Sequence, residues 1–216
     1  QQESLIQTNK VLRSTYFLLS MTLLWSAVVA GVSMAMNMPH PGMIITLVGF
    51  YGLLFLTEKN RNNSMGLVFT FLFTGFMGYT LGPILNAYLS LPNGGQLVMT
   101  ALGMTGFVFV GMSAIALTTK KDFSFMGGFL SAGAIVALIA MVALFVLPMF
   151  GIEVGAMHMA FSAFIVLLMA GFILYDTSRI INGGETNYIM ATVNLYVSLY
   201  NMFLSLLSLF GMASDD

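Results

Sequence analysis

The sequence contains no cysteine and very little charge. Without cysteine, the chain can form no disulfide, no thiolate metal site and no cysteine nucleophile. Charged residues make up 7% of the chain, against roughly 25% in soluble domains. The seven Lys and Arg residues are scattered singly or in pairs and the net charge is −1, which leaves no basic patch for nucleic acid. These absences exclude a water-soluble globular fold and a nucleic-acid-binding protein.

Apolar residues are abundant, at 58% of the chain, and the mean hydropathy is +0.93. A transmembrane helix needs about 20 mostly apolar residues. Short links rich in Pro, Gly and Asn separate seven apolar runs, of which the second, at 43–57, is the shortest and weakest. We therefore predict an all-α integral membrane protein in the lipid bilayer, a single bundle of seven transmembrane helices at 14–210 between tails at 1–13 and 211–216. The predicted spans are 14–36, 43–57, 65–86, 96–118, 124–147, 156–179 and 188–210.

The basic residues indicate how the chain is oriented. With seven spans, all of them fall on one side of the membrane, and the loops of the other side hold His40, Glu153 and His158 instead. By the positive-inside rule, the N-terminus is cytoplasmic and the C-terminus periplasmic. The first apolar run is too long for the core of a signal peptide and is predicted to be an uncleaved anchor. The basic residues are Lys10, Arg13, Lys59, Arg61, Lys120, Lys121 and Arg179.

The last span carries a stripe of polar residues on one helical face. Because lipid would penalise such a stripe, this face is predicted to look inward. It either packs against other helices or lines a path for water or ions, and the residues alone leave both alternatives open. The stripe consists of Asn194, Ser198, Asn201, Ser205 and Ser208.

The third span is rich in small residues. Gly75, Gly78 and Gly82 are spaced so that another helix can approach closely. Pro83 follows directly and favours a kink or break in the helix. We interpret this segment as a helix-packing surface.

Asp176 is the only acidic residue that falls inside a predicted span. It lies about a turn and a half before Asn182-Gly183-Gly184, which is predicted to end the helix. Arg179 is three residues further on the same face, so an ion pair between the two is one explanation. An intramembrane carboxylate is also a functional candidate in its own right.

Enzymatic interpretations fail on spacing and depth. The chain has no His-Glu-x-x-His and no P-loop. Ser113 and His158 resemble an intramembrane serine–histidine pair, but they fall near opposite ends of their spans, on the order of 20 Å apart. We predict no catalytic activity, no metal site and no cofactor.

Three stretches carry a family resemblance: FTGFMGYTLGPIL at 73–85, KDFSFMGG at 121–128 and YDTSRIINGGETNYIMATVNLYVSLYNMF at 175–203. They resemble the Bax inhibitor-1 family of small membrane proteins, in particular its bacterial YccA-type branch. The likeness extends over nearly the whole chain. It implies seven helices with the last one wrapped by the other six.

The resemblance also implies two alternative functions. Family members are associated with a pH-sensitive calcium leak through a proton-sharing pair of aspartates. Asp176 matches the first aspartate, but Ser198 stands where the second is expected, so the pair and one hard calcium ligand are missing. The bacterial branch is linked to restraint of the membrane-anchored AAA protease FtsH. The missing aspartate at Ser198 favours the function as a partner of FtsH, in which the N-terminal tail is the segment that the protease binds. The calcium or cation leak is the alternative.

Overall fold

The computed structural model describes residues 2–214, and within that range the chain folds into seven α-helices and no β-strand. Short 3₁₀ turns at Ser124–Met126 and Leu147–Phe150 extend the two ends of the fifth helix. Each helix coincides with one predicted span, which confirms the all-α class. The helices are α1 (Gln2–Ala35), α2 (Met43–Lys59), α3 (Ser64–Leu89), α4 (Gly94–Thr119), α5 (Gly127–Val146), α6 (Gly155–Ile181) and α7 (Tyr188–Ser214).

Among the described residues, six helical segments are long and apolar enough to cross a membrane. They are α1, α3, α4, α6, α7, and α5 together with its flanking turns. The remaining helix, α2, has 17 residues, and at a rise of 1.5 Å per residue it is about 25 Å long. The chain is therefore an all-α integral membrane protein.

The first and last helices extend beyond the predicted spans. Residues 2–13, predicted as a tail, form the first three turns of α1, because nothing in this segment breaks a helix: it contains neither Gly nor Pro. Residues 211–214 of the predicted C-terminal tail likewise belong to α7. Asp215 and Asp216 lie outside the described residues.

The described chain divides into two compact units. The first contains the residues up to Gly95 together with Gly183–Tyr196, and in it α1 and α2 both pack on α3. The second contains Gln96–Asn182 and the part of α7 after Tyr196, and in it α5 packs on α6.

Helices α1 and α3 of the first unit run parallel. Later residues of α1 contact later residues of α3: Trp25 contacts Gly75, and Ser33 contacts Gly82. Helix α2 is the only helix between them in the chain, so it returns the chain to the end at which α1 begins.

Asparagine and glycine residues define several helix ends. The side chain of Asn63 accepts a hydrogen bond from the Met65 N–H at 2.9 Å and caps α3. Asn187 Oδ1 accepts from the Met190 N–H at 3.1 Å at the start of α7. Helix α6 ends at Ile181, and Gly183 follows at φ 77°, a backbone conformation that favours glycine. The predicted end of the sixth helix is thus confirmed.

Candidate functional site

Asp176 lies where the sequence predicts, five residues before the end of α6 at Ile181. Its side chain is buried, with 8% of its surface exposed, and the neighbouring Thr177 and Ser178 are fully buried. A carboxyl group in such surroundings requires polar partners, because burying an unpaired charge is costly. This buried polar segment of α6 is the centre of the candidate site.

Arg179 makes a contact that the sequence did not predict. Its guanidinium carbon is 5.6 Å from the centre of the Tyr175 ring, within the range of a cation–π interaction. Arg179 is half-buried, so the aromatic ring replaces part of its hydration. The ion pair between Arg179 and Asp176 stays a prediction.

Polar residues at the end of α6 hold the loop between α4 and α5. Ser178 Oγ accepts a hydrogen bond from the Phe123 N–H at 2.9 Å and donates one to the Lys121 carbonyl at 3.1 Å. Asn182 Nδ2 donates to the same carbonyl at 3.3 Å. One hydroxyl and one amide thus bond the backbone of Lys121 and Phe123 in this loop between the two helices.

The same loop is shaped by Asp122, whose carboxylate is exposed. The Ser124 N–H donates to Asp122 Oδ1 at 2.9 Å, and this backbone hydrogen bond lowers the pKa of Asp122 below its ordinary value of 3.8.

A few residues later, a Cβ atom on Gly127 would lie 2.9 Å from the Tyr175 hydroxyl, so the glycine leaves room for that ring. The stretches 121–128 and 175–182, on which the resemblance partly rests, are therefore packed against each other.

Helix α7 is buried on its apolar faces as well as on part of its polar stripe. Ser198 is buried at 4% exposure, as expected, but the other four stripe residues are only partly buried. The inward orientation of the polar face stays a prediction, and apolar side chains on other faces are buried more completely than the stripe. The apolar residues at 0% exposure are Val193, Leu195, Met202 and Leu207.

The far end of the stripe has a partner on α6. Ser208 Oγ lies 3.3 Å from His158 Nδ1, and the histidine is exposed. His158 thus makes a surface contact at the end of α6 opposite to Asp176 and lies outside the candidate site.

The three glycines predicted for helix packing lie where α3 meets α1. A Cβ atom on Gly78 would collide with the backbone carbonyl oxygen of Ser26, and one on Gly75 would lie 2.7 Å from Trp25 Nε1. The Trp25 indole donates a hydrogen bond to the Phe71 carbonyl at 2.9 Å. The small residues therefore let α1 side chains reach the backbone of α3.

Pro83 does not break α3, which is continuous from Ser64 to Leu89. A proline lacks the N–H that would bond the carbonyl four residues earlier, here that of Tyr79. Ser33 Oγ of α1 donates to this carbonyl at 3.0 Å. Gly82 makes this possible, since a Cβ atom there would occupy the position of the Ser33 side chain. The proline is tolerated because the neighbouring helix supplies the missing donor.

Tyr196 was missed as a site residue, because it does not belong to the polar stripe of the last span. It is 2% exposed, and its hydroxyl lies 2.6 Å from Ser26 Oγ and 3.4 Å from the Thr74 carbonyl. Its ring meets that of Phe73 edge-on at 6.0 Å. A tyrosine in an apolar span needs a partner for its hydroxyl, and that is the signal that could have identified it.

Within residues 2–214, no group of three or more His, Asp or Glu side chains is placed to hold a metal ion. Asp176 alone offers one carboxylate, whereas Ca²⁺ takes six to eight oxygen ligands. What the arrangement does provide is a set of hydroxyl, amide and indole groups that hydrogen-bond backbone atoms of neighbouring helices and loops.

Comparison with known proteins gives a consistent result. The chain matches the protein family described as "Inhibitor of apoptosis-promoting Bax1" over residues 8–215. It is similar to a protein of Escherichia coli strain K12 named "Modulator of FtsH protease YccA", with 56% identity over 213 residues that cover 99% of this chain and 94% of the relative. A protein of Escherichia coli O6:H1 named "Inner membrane protein YccA" is similar to the same extent. An uncharacterized protein of Pseudomonas aeruginosa is 54% identical over 97% of this chain and 92% of its own length.

Proposed function

The chain belongs to the family of inhibitors of apoptosis-promoting Bax1, and on that basis we propose that it is an inner-membrane protein that binds and modulates the membrane-anchored AAA protease FtsH. The observation that carries this proposal is the 56% identity to a relative named as a modulator of FtsH, over 99% of this chain. Similarity at that level and coverage extends to the loops and the N-terminal helix, where a partner would bind.

The N-terminal part of α1, residues 2–13, is suited to be the segment that the protease binds, which we call the handle. Helix α1 has 34 residues and is about 51 Å long, whereas the hydrocarbon core is about 30 Å thick. If residues 14–35 cross the core, residues 2–13 project from it as a helix. Leu5 and Ile6 are 63% and 68% exposed, so this projection offers apolar as well as polar groups to a partner.

Deleting residues 1–10 should weaken both degradation of the protein by FtsH and its inhibition of FtsH. The projecting helix would lose most of its length, while the contacts of α1 with α3 begin deeper in the membrane and stay intact. Degradation can be followed by pulse–chase in cells, and inhibition by turnover of a second FtsH substrate.

A matched control replaces residues 1–10 by a Gly–Ser segment of equal length. If this variant behaves like the full chain, binding by the protease depends only on the length of the segment. If it behaves like the deletion, binding depends on the identity of residues 1–10. A truncated protein that competes for FtsH as well as the full chain does would contradict the proposal of a handle.

We propose further that α2 also crosses the membrane, giving seven spans with α7 the most enclosed helix. The parallel course of α1 and α3 supports this, because two parallel spans require a return crossing between them. Of the most apolar stretch of α7, 56% of the residues are buried, against 11–39% in the other five long segments. With seven spans, all basic residues lie on one side, so the N-terminus is cytoplasmic and the C-terminus periplasmic.

Reporter fusions test this topology. Fusions at Asn62 and Asp122 should report a cytoplasmic location, and a fusion after Asp216 a periplasmic one, because positively charged loops are retained in the cytoplasm. Alkaline phosphatase and green fluorescent protein fusions at the same positions serve as opposite controls. A cytoplasmic signal after Asp216 would mean that one of the seven helices does not cross.

A calcium or cation leak of the Bax inhibitor-1 type is the second candidate function. The burial of Asp176 within α6 favours it, since buried intramembrane carboxylates mark ion and proton paths. The serine at position 198 weighs against it, because it removes the second carboxylate of the family pattern.

A further inference from the structure

A groove between α1 and α3 opens on the surface of the first unit. It has a volume of about 370 Å³, and its lining is almost entirely apolar. In a membrane, a groove of this kind does not stay empty, because an unfilled space costs its lining the dispersion contacts of the missing atoms. It is lined by Trp25, Leu67, Val68, Phe71 and Leu72.

One wall of the groove is held rigidly. The Trp25 indole is 44% exposed, yet its N–H is bonded to the Phe71 carbonyl at 2.9 Å. Gly75 leaves the space in which the indole lies, with 2.7 Å between Trp25 Nε1 and the position of a Cβ atom on Gly75. The indole therefore cannot swing across the groove to fill it.

The depth of the groove follows from the parallel packing of the two helices. Trp25 is level with Gly75 and Ser33 with Gly82, so the start of α3 at Ser64 is level with residue 14 of α1. The groove thus extends from one turn inside the start of α3 to the level of Trp25, about 12 Å along the helix axis. This is the half of the membrane next to the basic residues of the first unit.

Basic side chains lie beyond the open end of the groove. Lys10 is exposed and is 15 residues before Trp25, which places it about 22 Å further along α1 and about 60° around it, on the side of the indole. Arg13 is also exposed, about 4.5 Å closer to the membrane and about 120° around the helix from Trp25. At these depths, a lysine or arginine reaches the phosphate level of the bilayer.

We propose that this groove is a binding site for an anionic phospholipid, with one acyl chain against Trp25 and the phosphate near Lys10 and Arg13. The acyl chain alone contributes little binding free energy, because the surrounding lipid is as apolar as the groove. Selectivity comes from the headgroup, where each basic residue near the surface favours an anionic lipid by about fivefold. Lys10 and Arg13 also belong to the N-terminal segment proposed to bind the protease, so the lipid site is tested in vesicles that contain no protease.

The chain contains a single tryptophan, so its fluorescence reports on this groove alone. The full chain is reconstituted in phosphatidylcholine vesicles that contain a small fraction of lipid with brominated acyl chains, which quench tryptophan on contact. Brominated phosphatidylglycerol should quench Trp25 more strongly than brominated phosphatidylcholine at the same fraction. Replacing both Lys10 and Arg13 by glutamine should remove this difference.

Two matched controls separate a site from general charge and from general lipid contact. Replacing both Lys120 and Lys121 by glutamine removes the same two charges from the loop between α4 and α5, which contributes no residue to the groove lining, and should leave the preference unchanged. Val68→Phe fills the groove and should reduce quenching by both lipids. Val110→Phe makes the same change on the exposed surface of α4, where Val110 is 64% exposed, and should not.

Equal quenching by the two brominated lipids would overturn the proposal, as would a preference that survives in the Lys10→Gln, Arg13→Gln double variant. Quenching by neither lipid would overturn it as well, since a protein segment would then occupy the groove.

Discussion

Replacing Gly78 by alanine is expected to lower the free energy of unfolding by about 1–3 kcal/mol, the usual cost of overpacking a well-packed interior. The added Cβ atom would collide with the backbone carbonyl oxygen of Ser26, and a backbone atom cannot rotate away as a flexible side chain can. The collision would also disturb the 2.6 Å contact between Ser26 Oγ and the Tyr196 hydroxyl. Thermal unfolding in detergent, followed by loss of helical circular dichroism, measures the effect.

Gly52 is the matched control for this substitution. It lies in α2, and no atom is within 4 Å of the position of an added Cβ. Alanine at Gly52 should leave stability unchanged or raise it slightly, since glycine inside a helix costs about 0.5–1 kcal/mol relative to alanine. If both variants unfold at the same temperature, close packing at Gly78 does not contribute to stability as the structure indicates.

The positions of the helices could be predicted because membrane spans are set by composition over about 20 residues. The end of α6 was also predictable, since Asn182-Gly183-Gly184 is a local signal that depends on no other part of the chain. The helical extension of α1 was not, because polarity indicates where a span ends and says nothing about whether the helix continues.

What could not be predicted is which helices share a hydrogen bond. Pro83 alone favours a kink, and only the presence of Ser33 on the adjacent helix explains why α3 continues through it. The burial of the apolar faces of α7 was not predictable for the same reason, since a polar residue in a span indicates that it has a partner but not how the apolar faces are covered. Side-chain bonds between distant segments are determined by tertiary packing.

The candidate site could be predicted for Asp176 but not for the residues around it. The sequence predicted Asn182 only as part of the helix end and gave Ser178 no role, whereas both side chains hold the loop at Lys121 and Phe123. Much of the family-like pattern at 175–182 is therefore explained by loop attachment. Loop attachment does not account for Asp176, so the role of this residue is tested by measuring ion leak.

Replacing Ser198 by aspartate should create, or strongly increase, a pH-dependent calcium leak that is weak or absent in the unmodified chain. The substitution restores the second carboxylate that the family resemblance places at this buried position of α7. Two carboxylates that share a site can share one proton, which is held at lower pH and lost as the pH rises. Together they also offer Ca²⁺ two hard anionic ligands in place of one.

Calcium entry into proteoliposomes, reported by an enclosed dye at pH values between about 6 and 8, measures this leak. Ser205→Asp makes the same change seven residues further along the stripe, on a partly buried residue, and should not produce the pH dependence. Adding Asp176→Asn to Ser198→Asp should abolish it, because one carboxylate has no partner with which to share a proton. A strong leak in the unmodified chain that disappears in Asp176→Asn would contradict this prediction: one aspartate would then suffice, and the leak would take precedence over the protease partner as the proposed function.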